Sequence, residues 1–413
     1  MLVESNLPAG TPAPEKSDSS SLRQWLSVGA VAIGAFAFVT TEFLPVGLLP
    51  HVAKELDVLP GTAGLMVTTP GVIAALSAPG LMLGAGRMDR RHVFLLLTAL
   101  LLASNLLSAF APNFAVMLVG RALLGAALGG FWTLATAAAG RLVQPKDAAK
   151  ATAMILTGVT CATVIGVPLG TFIAGVSSWR FSFMATGVLV AIALVAQLLL
   201  VPSLPSSAAL RFSDLIELIR RPYARRSMLM VGLVFGAHFC SYTYITPFLL
   251  HDASFGMSTI TWLLLGFGVI GFFSNFAVSS TVDRSIKASV ATMVSLMMFA
   301  LLSMPLLRHS QLAVTVDVLA WGISFGALPL CFSVWIQRAT PDLPEAGSAL
   351  FVSIIQVAIA VGSLVGGTIV DSIGIPPDFL LGGALALLGL AALASFGRST
   401  VAQADRECLA TPE

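Results

Sequence analysis

The stretch "AFAFVTTEFLPVGLLPHVAK", residues 35–54, sets one carboxylate, Glu42, inside an apolar run that opens near Trp25. Between residues 25 and 49 Glu42 is the only charged side chain. A hydrocarbon layer roughly 30 Å thick needs about 20 apolar residues per spanning helix, so this run is long enough to cross one. The same kind of run recurs along almost all of the 413-residue chain, which is 57% hydrophobic and 10% charged with a mean hydropathy of +0.93. No water-soluble core hides that much apolar surface, and lipid is therefore the main solvent.

Twelve spans are predicted, at residues 25–49, 61–84, 93–110, 114–139, 151–175, 180–200, 227–250, 258–281, 288–307, 312–337, 346–370 and 379–397. Strand-type alternation is sustained nowhere, which disfavours a membrane β-barrel and predicts an all-α bundle. Residues 1–22, rich in Ser, Pro and Glu, read as a disordered tail. The apolar run behind them has no small-residue cleavage site, so an uncleaved span is expected rather than a signal peptide.

Charge distribution fixes an expected orientation. With both termini in the cytoplasm, the inner loops and tails hold all of the 22 Lys and Arg residues except Lys54, Arg180 and Arg308 outside and Arg121 within a span. That is the positive-inside pattern of a multi-pass protein of the cytoplasmic membrane. Cys161, Cys240, Cys331 and Cys408 show no CxxC or Cys/His spacing, so neither metal nor cofactor is expected. Nucleic acid is not an expected partner.

Between spans six and seven, "VPSLPSSAALRFSDLIELIRRPYARRS" breaks the apolar pattern before a short helix whose start is marked by Asp214 and Glu217. The expected organisation is a tail at 1–22, a six-helix bundle at 23–200, a cytoplasmic linker at 201–226, a second bundle at 227–397 and a tail at 398–413. The halves match at offsets of about 200 residues. "DRRHV" from Asp89 parallels "DRSIKASV" from Asp283, "EFLPVGLL" parallels "YITPFLLH", and Gly166 and Gly170 parallel Gly362 and Gly366. Together they argue for a duplicated unit in parallel orientation, an arrangement suited to transport by two rocking bundles.

Over residues 25–397 the chain resembles the major facilitator superfamily, in particular its bacterial twelve-span drug:proton antiporters. "TTEFLPVGLLP", "GRALLGAALGGFW" at 120–132, "GVPLG" at 166–170 with "SWRFSF", and "AGSALFVSIIQVAIAVGSLVGG" at 346–367 carry the likeness. They are most similar to purine ribonucleoside efflux pumps and less so to sugar-efflux transporters. The resemblance implies an all-α membrane protein of two pseudo-symmetric six-helix bundles. It also implies a proton-coupled exporter of small organic solutes, functional as a monomer.

The candidate site residues follow from polarity in the wrong solvent. A charge deep in a span costs about 2.5–3.5 kcal/mol on insertion scales, so Glu42 faces water, finds a partner or keeps its proton. Arg121, the one basic residue in a span, lies at a similar depth, and in the fold this chain resembles their two spans line one cavity. A Glu42–Arg121 pair broken by protonation would couple proton occupancy to helix position; a permanent ion pair, or a carboxylate bound to Thr40 and Thr41, is the bland alternative. By resemblance, Arg121 and Gly125 fit an Arg-x-x-x-Gly motif associated with proton transfer, and Trp132 shares their helix face. His238, near the middle of span seven with Ser241 and Tyr242 on one side, is a candidate for carrying the proton or contacting cargo; packing is the alternative. Asn275, Trp321, Trp335 and Gln356 offer amides and ring faces to a flat, neutral, polar guest, or simply join helices. Asp317 is expected at the interface.

Two motifs read as gates. In "GVPLG", Pro168 bends span five while Gly166 and Gly170 permit close approach, and the resemblance suggests an outer seal between the bundles. In "GRMDRR", Arg87, Asp89, Arg90 and Arg91 depart from the family's Asp-Arg-x-Gly-Arg-Arg by lacking the first acid, whereas Asp283 and Arg284 keep it. An enzyme is disfavoured, since HExxH, GxSxG and paired intramembrane carboxylates are absent, and no GxxxxGK[ST] supports an ATP-driven pump. Export of purine ribonucleosides or related neutral compounds is the leading expectation; sugar or multidrug efflux and proton-coupled import are the alternatives.

Overall fold

The computed structural model describes residues 20–84, 88–205, 212–282 and 284–396; Arg87 and Asp283 lie outside them. The first half consists of α1 (Leu22–Glu55), α2 (Leu65–Gly84, entered through a helical turn at Pro60–Ala63), α3 (Arg90–Ala109), α4 (Phe114–Leu142), α5 (Pro145–Val176) and α6 (Trp179–Leu200). A linker helix, Phe212–Arg220, leads to α7 (Pro222–Tyr242), α8 (Met257–Ser279), α9 (Ile286–Leu307), α10 (Gln311–Ala339), α11 (Pro344–Ile373) and α12 (Ile375–Ala394). No strand occurs among the described residues.

Ten of these helices are long and apolar enough to cross a membrane, and α7 with its continuation Ile245–Asp252, bent by 41°, makes an eleventh. The 20-residue α2, about 30 Å long at 1.5 Å per residue, occupies the place of the second predicted span. The chain is thus a multi-pass membrane protein, with the all-helical architecture expected from its hydropathy. The start of α1 and the end of α12 lie at one end of the bundle, here the terminal end; the α1–α2 and α11–α12 turns lie at the distal end.

Helix ends follow local chemistry. Ser21 and Gln24 form a reciprocal capping box at the start of α1, and the side chains of Asn113, Ser178 and Ser310 accept backbone N–H groups at the starts of α4, α6 and α10. Gly374 turns α11 into α12 at φ +101°, a conformation that L side chains rarely adopt.

Packing shows the duplication directly. One apolar cluster lies wholly within residues 28–204, while another draws on residues 228–396 and reaches across to Val46, Val67 and Val167, with Phe43 packed against it. Within the first half, Gly166 on α5 lies against Thr40 of α1, and Gly170 against Leu44. Within the second, Gly362 on α11 lies against Gly236 of α7, and Gly366 against Cys240. Likewise Gly125 on α4 abuts Pro70 of α2, as Gly322 on α10 abuts Phe267 of α8. Small residues let these backbones approach where lipid supplies no hydrophobic drive. The matched contacts put His238, not Tyr244, in the place equivalent to Glu42, so the "EFLPVGLL"/"YITPFLLH" alignment is out of register.

Candidate functional site

Glu42 is 4% exposed and lies in the seam between the halves. Its Oε1 accepts a hydrogen bond from Nε2 of Gln356 on α11 at 3.2 Å, while the Gln356 Oε1 meets no donor among the described residues. The sequence brings these two polar groups together from residues 314 positions apart.

The expected Glu42–Arg121 ion pair is absent among the described residues. Arg121, fully buried, instead points its guanidinium at three backbone carbonyls: Nε donates to Met66 at 2.7 Å, and the two terminal nitrogens to Thr41 at 2.7 Å and Glu42 at 2.8 Å. Two prolines explain this. The helical partner of the Thr41 carbonyl would be the N–H of residue 45 and that of Met66 the N–H of residue 70; both are proline, which has none. Arg121 supplies the missing donors with a planar fork that satisfies several acceptors at once, and so ties α4 to α1 and α2. Gly125 allows that approach, since a Cβ there would stand 2.5 Å from the Pro70 oxygen. Asn105 on α3 completes the brace by donating to the Thr41 hydroxyl at 3.1 Å.

His238 is buried within aromatic rings. Phe325 stacks on it at 3.3 Å and Tyr242 at 4.7 Å, Trp321 meets it edge-on at 5.3 Å, and Phe267 adds a fourth face at 6.4 Å. Neither imidazole nitrogen, nor the Trp321 Nε1, has a hydrogen-bond partner among the described residues. Phe43 of α1 joins the border of this cluster by stacking on Phe239 at 5.5 Å across the seam. Of the remaining candidates, Trp132 packs edge-on against Phe131 at 6.0 Å, on the first-half side. Asn275 donates to the Gly326 carbonyl at 3.1 Å, a bond between α8 and α10; that amide serves helix packing. Trp335 donates to Ser227 at 2.9 Å, again a packing role. Asp317 is buried between α9 and α10 with the Ser303 hydroxyl on both its oxygens at 3.0 Å.

A polar latch, missed in the sequence, joins the halves towards the distal end. Asp371 of α11 accepts from the Gly61 N–H at 2.6 Å and the Thr62 hydroxyl at 2.9 Å. Tyr244 donates to the Ser363 carbonyl at 2.7 Å with the Gly61 carbonyl at 3.3 Å, and Thr68 bonds Ser363 at 2.8 Å. A carboxylate near a span end and a tyrosine beside a bend were its only sequence signals.

The gating motifs divide. The "GVPLG" glycines face α1 of their own half, and it is Val164, in a π-helical turn at Ala162–Gly166 just before Pro168, that meets Gly268 of α8 across the seam. A wide turn there suits a proline four residues beyond that supplies no N–H. Asp89 caps α3 through the Arg91 N–H at 2.9 Å and holds the start of the linker through the Leu204 N–H at 2.8 Å and the Ser203 hydroxyl. Chiefly the Ser203 hydroxyl, helped by the two backbone donors, pulls the Asp89 carboxyl down to about 2. Arg91 donates to the Leu198 carbonyl at 2.7 Å, and the Arg90 N–H to that of Leu204 at 2.9 Å. Arg284 lies exposed in the α8–α9 turn.

The family model of the Major Facilitator Superfamily matches residues 31–360. The chain belongs to the major facilitator superfamily. As a major facilitator protein it is a membrane transporter and not an enzyme. It is 32% identical over 385 residues, 93% of this chain and 97% of the other, to the purine ribonucleoside efflux pump NepI of Salmonella paratyphi B (strain ATCC BAA-1250 / SPB7). To the protein of that name from Escherichia coli (strain K12) it is 33% identical over 371 residues, 90% and 94% of the two chains. Among solved structures, a mutant of nucleoside transporter NupG shares the fold at TM-score 0.72 and 14% identity, over 90% of this chain and 99% of that one. The human organic anion transporter MFSD10 shares it at TM-score 0.65 and 17% identity, over the same shares.

Proposed function

We propose that this major facilitator protein is a proton-coupled exporter of purine ribonucleosides or related neutral polar compounds. Two bundles, residues 23–200 and 227–397 joined by the linker 201–226, rock about the seam as a monomer in the bacterial inner membrane. With both termini cytoplasmic, as the positive-inside count supports, the distal end faces outward, where the Asp371–Gly61 and Thr68–Ser363 bonds join the halves.

The observation that carries the reading is the Glu42–Gln356 contact at 3.2 Å. A buried carboxylate whose partner belongs to the other half changes its surroundings whenever the halves part. Opened to outside water it exchanges its proton there; opened to the cytoplasm it exchanges it there. Each proton returning inward supplies about 2.3 kcal/mol per 100 mV, which is enough to concentrate a neutral solute. The cluster of His238, Tyr242, Phe267, Trp321 and Phe325, with three ring nitrogens unpartnered among the described residues, suits a flat guest that stacks and accepts or donates hydrogen bonds, as a purine does. The names borne by the relatives support the same cargo.

Everted vesicles acidified inside test the direction. They are expected to accumulate a purine nucleoside, and to do so only with the transporter present; accumulation in right-side-out vesicles acidified outside would instead mark an importer.

A further inference from the structure

A second intramembrane carboxylate has no place in this scheme. Asp378, in the first turn of α12, is 0% exposed. Among the described residues its Oδ1 receives only the Cys240 thiol, at 2.8 Å, and its Oδ2 meets no donor. A thiol is a weak donor, and a helix N-terminus would favour a carboxylate only through its free N–H groups, of which Pro376 and Pro377 remove two. The titratable groups packed nearby are Cys240 of α7, Tyr244 in the bend just after it and, beyond Tyr244, Asp371 of α11. At the end of α9, Arg308 is directed to Asp252 at 4.0 Å, with His309 and His251 beside that pair. An uncompensated charge in this position is costly, whereas the protonated acid is not.

The duplicated unit supplies a control. Gly366, whose Cβ would stand 2.7 Å from the Asp378 Oδ1, matches Gly170 of the first half. There the α6 residue at the equivalent place is Ser182, whose hydroxyl donates to the Gly170 carbonyl at 2.8 Å. A neutral side chain suffices for the packing, so the carboxyl of the second half invites another role. Gly366 also lies 3.0 Å, measured to the same Cβ, from the ring of Tyr244, which belongs to the distal latch.

We infer that Asp378 is a second proton-binding site, separate from Glu42, that takes up a proton from the distal compartment as the latch of Asp371, Gly61 and Tyr244 closes over it. Only the assignment of that compartment to the outside rests on the proposed function; the proton site does not. Opening the latch admits water to Asp378 and lets the proton leave on the same side.

Infrared spectroscopy of the purified transporter in lipid, with carbon-13-labelled aspartate, reads this without any flux. In a D317N background, which removes another buried aspartate, a protonated-aspartate C=O band is expected at neutral pH. It should persist on adding E42Q, vanish on adding D378N, and weaken at least twofold on adding G61A, whose extra methyl obstructs the latch. Absence of the band from the D317N protein overturns the inference without reliance on any variant at Asp378; so does a band unchanged by D378N. A band insensitive to G61A overturns its tie to the latch. Survival of the band in E42Q keeps the result distinct from any failure of Glu42 to drive transport.

Discussion

Arg121 and Glu42 touch through the backbone and not through their charges: the guanidinium binds the Glu42 carbonyl at 2.8 Å, while the Glu42 carboxylate turns to Gln356 on the other half. The two residues therefore separate in role. Arg121 repairs two helices opened by Pro45 and Pro70, which leaves Glu42 free to respond to the seam.

Arg121→Lys tests the repair. An ammonium cannot span three carbonyls on two helices, so about two charge-assisted bonds are lost, each about 1.5–3 kcal/mol. The variant is expected to melt at clearly lower temperature in detergent, with transport falling in step with folded protein. A Lys variant of unchanged melting temperature would contradict the assignment.

Gly61→Ala tests the distal latch. Its Cβ would stand 2.6 Å from the Asp371 carboxyl and press on the Gly367 carbonyl, a contact with backbone that cannot rotate aside. The variant should fold but favour the distal-open state, with transport reduced at least tenfold and distal seam cysteines labelled faster.

His238→Phe tests the cargo cluster. Phenylalanine keeps ring stacking but removes both nitrogens, so stability should change little while KM for a purine nucleoside rises about tenfold, the worth of one hydrogen bond near 1.4 kcal/mol. Unaltered KM would reassign His238 to packing.

Asp89 supplies a pH control outside the membrane. Because the folded group is depressed to about 2, its stabilising contribution is fully present above its unfolded value, about 3.9, and is lost as pH falls through that window towards 2. Asp89→Asn should loosen the hold on the linker equally at pH 6 and pH 8, leaving the shape of the pH–flux profile between them unchanged.

The long apolar helices and the duplication were legible because lipid demands long apolar segments and duplicated contacts leave glycines in matching places. Register was not: the apolar likeness around Tyr244 misled, and only the Thr40–Gly166 and Gly236–Gly362 contacts fix His238 opposite Glu42. Glu42, Gln356, His238, Tyr242 and Trp321 were readable as polar or aromatic groups in an apolar solvent. Which of them meet depends on helix rotation, which composition does not encode. Asn275 shows the converse, since an intramembrane amide is equally at home on a neighbouring carbonyl. The Arg121 fork was written in Pro45 and Pro70, but its reading needs the distance between three helices. Asp378 escaped notice because it sits just ahead of the apolar run that marked span twelve.

Reconstituted vesicles carrying Glu42→Gln give the most direct test, comparing nucleoside uptake driven by a pH gradient with exchange of labelled for unlabelled nucleoside at equal pH. The account predicts that gradient-driven uptake disappears while exchange continues. Gradient-driven uptake persisting at the wild-type rate would contradict it.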